Sequence, residues 1–384
     1  MENRKTLALL GSTGSIGKNV IEVIKQFRHL YHVKVLVAGS NVHLLAEQAL
    51  LLGVESVVIG DESLHTVLCD LLRDSSINVY SGRQAVLNAV SVHYDIVFMA
   101  MCGTAALAPL MMAIENSNTV ATANKETIVS AGQYVMAHAE RYGTTLFPVD
   151  SEHNAILQIL KFGGLDDISS VMLTASGGPF WGYTYERMRD VTPSQAVKHQ
   201  NWDMGAKISV DSATMMNKGL EVIEAMHLFQ MPLSKIKVIV HPQSLVHGIV
   251  HYVDGTSMIC AAPHDMRIPI AYSLSCPVRL PVVDCIDLAK VSSLDFMETD
   301  HKRFPMLRFA MDVAECGCDG AIIAMNVANE VAVERFLQGE IGFLDIYNVV
   351  RGVTKHFAHV KTTSIDDVYS IESDVRKFMF GKNN

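Results

Sequence analysis

TLALLGSTGSIGKNVIEVIKQF, residues 6–27, is the stretch whose reading decides the fold. TLALLG is an apolar run of the kind buried on both faces of a parallel sheet. NVIEVIKQF carries apolar residues at helical spacing. Between them lies GSTGSIG, residues 11–17. In that setting Gly14 lets the backbone approach a pyrophosphate and Gly17 lets helix and strand pack closely. The helix N-terminus adds free amides and a positive potential. Ser12 occupies the first expected glycine position, and a plain strand-to-helix turn is the alternative reading of the same residues.

The alternation continues outward from this unit. VKVLVAG, SVVIG, INVYSG, DIVFMAM, TVATA and TTLFPV read as strands, with LLAEQALLL, LLRD, AVLNAV, PLMMAIEN and ETIVSAGQYVMAHAERYG as helices between them. Such alternation predicts a Rossmann-like, doubly wound α/β sheet over residues 1–149. Residues 96–114 contain no charge, which approaches the length of a membrane span. Gly103 and Pro109 interrupt that run, so a buried strand and a following helix are expected instead.

The rhythm changes after Asp150. HNAILQIL reads as a helix, SSVMLTASGG as a strand, 179–207 as a loop, and SATMMNKGLEVIEAMHLF as one long helix. KIKVIVH, SLVHGIVHYV and SMICAAP follow as strands, the last two joined by the hairpin signal Asp254-Gly255. Residues 150–283 therefore form a central α+β domain, 284–302 a linker, and 303–384 a C-terminal helical bundle. A chain of 384 residues is long enough to divide in this way. The net charge of −9 gives no general attraction to nucleic acid or an anionic membrane. Seven scattered cysteines without a CxxC pair read as reduced thiols of a cytoplasmic protein. The N-terminal apolar run is too short for a signal peptide.

The second strand ends in Gly39-Ser40-Asn41 with no acid until Glu47. An acid there would bind a ribose 2′-hydroxyl and repel a 2′-phosphate, so NADP(H) is favoured over NAD. In PVDSEHNAI, 148–156, Asp150 and Glu152 follow a strand end, where ligands sit in open α/β sheets. Two carboxylates there suit Mg²⁺ or Mn²⁺, while a helix cap is an equal reading of Asp150. Asn217, Lys218 and Glu221 share one helix face among apolar neighbours, so their polar stripe needs a partner, which a phosphate and a metal would supply. Lys125 in TANKE follows another strand and suits a substrate hydroxyl or the cofactor, or else plain exposure to solvent. Ser176 lies in the glycine-flanked turn TASGGPF, which suits phosphate or any tight turn. His199 suits an anion or open surface, and Trp202 sits in a loop that reads as a lid.

GSTGSIG, ANKE, PVDSEHNAI, TASGGPF, NWDMGAKISVDSATMMNKGLEVIEA and HPQSLVHGIVHYVDGTSM together resemble the 1-deoxy-D-xylulose 5-phosphate reductoisomerase family. PVDSEH and KISVDSATMMNKGLE are the specific blocks. The resemblance implies rearrangement of the ketose phosphate to an aldehyde and its reduction by NADPH to 2-C-methyl-D-erythritol 4-phosphate, a step of non-mevalonate isoprenoid synthesis. It implies metal ligands at Asp150, Glu152 and Glu221, with Lys125 and Glu152 acting in catalysis. Substrate contacts fall on Lys125, Ser151, Glu152, Ser176, His199, Ser212, Asn217, Lys218 and Glu221. NADPH contacts fall on Thr13, Gly14, Ser15, Ile16, Gly39, Ser40, Asn41, Asn124, Glu126 and Gly205. The loop carrying Trp202 and Met204 would close over the substrate, and members form homodimers through the central sheet.

Three positions depart from the family: Ser40 and Ala206 stand where basic residues are frequent, and Gln200 where proline follows the loop histidine. Two other functions compete: a metal-independent NADP-dependent dehydrogenase of a phosphorylated semialdehyde, and a non-catalytic dinucleotide sensor. A sensor has no use for the three acids.

Overall fold

The computed structural model describes residues 4–202 and 204–381. The chain divides into two compact units. The first comprises residues up to Asn124 with Val135–Asn154 and Asp265–Asp284; the second comprises Lys125–Tyr134, Ala155–His264 and the chain from Cys285 onward.

The first unit is built on seven parallel strands: β1 (Lys5–Leu10), β2 (Tyr31–Ala38), β3 (Ser56–Ile59), β4 (Asn78–Ser81), β5 (Tyr94–Met99), β6 (Ser117–Thr122) and β7 (Thr145–Pro148). Their spatial order is β4-β3-β2-β1-β5-β6-β7. The order reverses between β1 and β5, which opens a crevice at the carboxyl ends of those strands. The apolar runs are strands because both faces of the sheet are covered: Leu7, Leu9, Leu36, Ile59 and Phe98 are fully buried. Burial of each such side chain is worth roughly 1.5–3 kcal/mol. The uncharged run resolves into β5 and the helix Leu107–Glu115. No helix among the described residues is long and apolar enough to cross a membrane.

The second unit holds a separate mixed sheet of β8 (Ile168–Ala175), β9 (Ile236–Val240), β10 (Val246–Tyr252) and β11 (Ser257–Ala261), in the order β11-β10-β8-β9. The β10–β11 hairpin turns at Gly255 (φ +88°), and Asp254 accepts hydrogen bonds from the Thr256 amide and hydroxyl. Val171, Leu173, Val222, Phe229, Ile236 and Val250 pack one core between this sheet and its helices. Four further helices, Pro305–Cys316, Asp319–Leu337, Asp345–Phe357 and Ile365–Phe380, match the expected helical periodicity.

Three expectations need correction. The long helix expected from Ser212 is two helices, Ala206–Thr214 and Met216–Leu228, broken at Met215 (φ +64°). Buried Met215 gave no sequence signal, because a left-handed turn normally falls on glycine or asparagine. The 179–207 loop contains two four-residue helices, Tyr185–Met188 and Pro193–Ala196, and its last two residues already belong to the next helix. Gly317 (φ +63°) brings the Cα atoms of Cys316 and Cys318 to 5.5 Å, and the two form a disulfide. The other five cysteines are not disulfide-bonded.

Candidate active site

In the first unit, Gly11 rather than residue 12 makes the tight turn after β1. Its φ is +85°, and a Cβ there would collide with the Ala100 carbonyl that follows β5. A Cβ on Gly17 would collide with the Gly11 and Ser12 carbonyls, so this glycine permits the close helix–strand contact read from the sequence. Gly14 precedes the helix Ser15–Gln26, whose N-terminus has no side-chain cap and leaves amides of its first turn available. Thr13, Ser15 and Ile16 lie on that loop and first turn. One supporting residue escaped the sequence reading: buried Gln48 donates to the Ser12 carbonyl at 3.0 Å. It lies on the helix Val42–Leu52 within LLAEQALLL, where a lone glutamine reads as surface.

Gly39, Ser40 and Asn41 are exposed just beyond β2. Asn41 caps the following helix by accepting from the Leu44 amide at 3.2 Å. Its oxygen is thereby engaged, and its NH₂ group is a donor, the polarity a 2′-phosphate requires. Asn124, past β6, donates to the Met101 and Gly103 carbonyls at 2.9 Å each. This ties the loops after β5 and β6 together.

Asp150 and Glu152 flank Ser151 just past β7, each with a carboxylate oxygen within 4.8 Å of the other's. The Asp150 carbonyl accepts from the Asn154 amide at 2.8 Å, so this aspartate occupies the N-cap position of the helix Ser151–Leu160. Capping and ligation are compatible, since one uses the backbone and the other the side chain. Asn154 donates to the Pro148 carbonyl at 2.9 Å and to Ser273 Oγ at 3.3 Å, fixing the segment that carries the acids. Ser151 Oγ donates to Glu152 Oε2 at 2.6 Å.

In the second unit, Glu221 is fully buried. Its Oε1 accepts from Lys125 Nζ at 3.4 Å and from Asn217 Nδ2, and its Oε2 accepts from Lys218 Nζ. Lys125 Nζ also donates to Asn217 Oδ1 at 2.6 Å. A carboxylate this deep in protein survives only with such compensation. The expected face of Asn217, Lys218 and Glu221 is therefore real, and Lys125 belongs to it.

Ser176 follows β8 in a turn made by Gly177 (φ +85°) and Gly178 (φ +71°). A Cβ on Gly178 would lie 2.6 Å from the Ser212 carbonyl, so the missing side chain seats this turn on the helix bearing Ser212. His199 Nδ1 accepts from the Asn201 and Trp202 amides at 3.2 and 3.1 Å. That fixes the ring proton on Nε2, which donates to Ser176 Oγ at 2.9 Å. Ser176 Oγ also accepts from the Gly178 amide at 3.1 Å, so its own proton points elsewhere, as a phosphate donor requires. Trp202 meets His247 and His264 edge-on, with centroids at 5.9 and 5.7 Å. Met204 and Gly205 complete the loop.

Glu126 is buried, and Lys207 donates to its Oε1 at 2.5 Å. Burial acts to raise this carboxyl's pKa, but the charge and hydrogen bond of Lys207, with Lys125 beyond, outweigh it and hold the pKa below the usual value. Sequence reading missed Lys207, because a lysine in the first turn of a helix looks like solvated surface.

Comparison with known proteins agrees along the length of the chain. Residues 7–132 match the 1-deoxy-D-xylulose 5-phosphate reductoisomerase family, 146–229 its C-terminal domain, and 261–378 the DXP reductoisomerase C-terminal domain. The chain is 46% identical over 375 residues to 1-deoxy-D-xylulose 5-phosphate reductoisomerase of Rhodospirillum centenum, covering 97% of this chain and 93% of that protein. The Zymomonas mobilis protein of the same name is 43% identical over 378 residues, covering 98% and 97%. A solved structure of the Zymomonas mobilis enzyme in complex with NADPH superposes with a TM-score of 0.91 at 40% identity, covering 98% and 97% of the two chains. A DOX-P reductoisomerase in complex with NADPH, fosmidomycin and magnesium superposes with a TM-score of 0.92 at 35% identity, covering 98% of each. On this evidence the chain belongs to the 1-deoxy-D-xylulose 5-phosphate reductoisomerase family.

Proposed function

We propose that this enzyme rearranges 1-deoxy-D-xylulose 5-phosphate and reduces the resulting aldehyde with NADPH, giving 2-C-methyl-D-erythritol 4-phosphate for non-mevalonate isoprenoid synthesis. The observation that carries this is the buried Glu221 carboxylate with Lys125, Asn217 and Lys218 on it, in a chain that matches named reductoisomerases over 97–98% of its length.

The divalent ion is assigned to Asp150, Glu152 and Glu221. These residues offer only oxygen donors, the set Mg²⁺ and Mn²⁺ prefer, and the mutual approach of the Asp150 and Glu152 oxygens supports the fit. When bound, the ion polarises the substrate's oxygens as a Lewis acid and NADPH supplies the hydride. Lys125, held by Asn217 and Glu221, donates to a substrate hydroxyl and offsets negative charge as it develops there. Glu152 takes and returns the hydroxyl proton, and Ser151 beside it binds a substrate hydroxyl. Ser176, Ser212, Asn217, Lys218 and His199 take the phosphate. NADPH lies on Thr13 to Ile16, Gly39 to Asn41, Asn124, Glu126 and Gly205, and the loop of Trp202 and Met204 excludes water.

Residues 1–149 carry most of the NADPH contacts, 150–283 most of the metal and substrate contacts and the dimer interface, and 303–384 form the helical domain beyond the 284–302 linker. The homodimer is supported by β11, an edge strand exposing Met258 and Ile259. A cytoplasmic setting suits a chain in which five of seven cysteines are not disulfide-bonded.

The test is NADPH oxidation with 1-deoxy-D-xylulose 5-phosphate, with Mg²⁺ and with excess chelator, the product identified by mass. Turnover that requires both substrate and metal supports the assignment. Undiminished turnover in chelator would favour a metal-independent dehydrogenase of a phosphorylated semialdehyde.

A further inference from the structure

Lys207 is the second residue of the helix Ala206–Thr214. An ammonium there faces the positive end of the helix, an unfavourable place unless carboxylates compensate. Two do: Glu126 Oε1 at 2.5 Å and Asp211 Oδ2 at 3.0 Å. Each is held from a third segment. Asp211 Oδ1 accepts from Asn329 Nδ2 at 2.7 Å. The Glu126 carbonyl accepts from Asn326 Nδ2 at 3.1 Å, and the same NH₂ group donates to Ser130 Oγ at 2.8 Å. Both asparagines are buried on the helix Asp319–Leu337. Three distant stretches of chain thus converge on one cation.

Glu126 and Asp211 are themselves buried, which sets this arrangement apart from a surface ion pair that exchanges freely with water. The ammonium is held more firmly charged than an ordinary lysine: burial opposes the charge, and Asp211 and Glu126 overcome it. The clamp also sits at the base of the Trp202 loop. Gly205 caps the helix, and its carbonyl accepts from the Ser209 amide at 3.1 Å and from Ser209 Oγ at 3.0 Å.

We propose that Lys207 is a positioning residue for the cofactor: it occupies Glu126 Oε1, leaves Oε2 as a fixed acceptor for NADPH, and anchors Gly205 so that the loop closes from a rigid base. This rests on the functional reading above, in which Glu126 and Gly205 contact NADPH.

The experiment compares wild type, Lys207→Met, Lys207→Arg and Asp211→Asn. It measures NADPH binding by the fluorescence of the bound nicotinamide, KM for NADPH and for substrate, and Tm. Loss of a charge-assisted anchor predicts that K207M weakens NADPH binding and raises its KM by ~10-fold, with KM for substrate within about 2-fold. K207R restores most of the affinity and D211N falls between. If K207M does not fold, D211N carries the same comparison. K207M or D211N binding NADPH as tightly as wild type would overturn the proposal, as would a drop in Tm without the split between the two KM values. Failure of the wild type to bind NADPH would overturn the functional reading and this proposal with it.

Discussion

Ser176 Oγ accepts a hydrogen bond from His199 Nε2 at 2.9 Å, while His199 Nδ1 is committed to two backbone amides of its own loop. The serine proposed to bind phosphate is therefore oriented by His199. His199→Asn keeps an acceptor near the Nδ1 position and loses the Nε2 donor. It should raise KM for substrate by ~10-fold, the effect of one hydrogen bond, with a smaller change in kcat. An unchanged KM would show that the relay is idle.

Glu221→Gln keeps shape and removes the charge that Lys125 and Lys218 share. Two buried ammonium groups would then face an amide, a loss of about 3–5 kcal/mol of stability by denaturant titration. Turnover, kcat/KM, should fall by ~10²-fold or more. A variant as stable and as active as wild type would contradict the account of this cluster.

Gly178→Ala tests whether the glycine turn seats Ser176. At φ +71° with the Ser212 carbonyl in the way, an added methyl must displace the turn. The expected cost is ~1–3 kcal/mol of stability together with a raised KM for substrate. Unchanged stability and KM would show that the turn tolerates a side chain.

Much of this was legible in the sequence, for identifiable reasons. TLALL and VKVLVA are largely apolar runs closed by glycine and IVFM is apolar throughout, the pattern of strands in a buried parallel sheet. Asn217, Lys218 and Glu221 were legible because a polar stripe among Met216, Leu220 and Val222 needs a partner. Met215 was not, because nothing in a methionine announces a left-handed turn. Lys207 and Gln48 were hidden because their partners, Asp211 aside, are distant in the chain: Glu126 for the first and the Ser12 carbonyl for the second.

His227 provides a pH test away from the chemistry. Burial holds its pKa below the ordinary 6.5, with Asp319 pulling the other way. Just below pH 6.5 the unfolded chain binds a proton that the folded one refuses, so stability falls as pH falls through that window. The drop in Tm between about pH 7.5 and 5.5 should be smaller in His227→Gln than in wild type. An equal drop would place the acid sensitivity elsewhere.

Asp150, Glu152 and Glu221 are proposed to bind one divalent ion, and Mn²⁺ binding followed by electron paramagnetic resonance tests this. Wild type with NADPH should bind Mn²⁺, and Asp150→Asn, Glu152→Gln and Glu221→Gln should each weaken binding by ~10-fold or more. Equal affinity in wild type and all three variants would contradict the assignment.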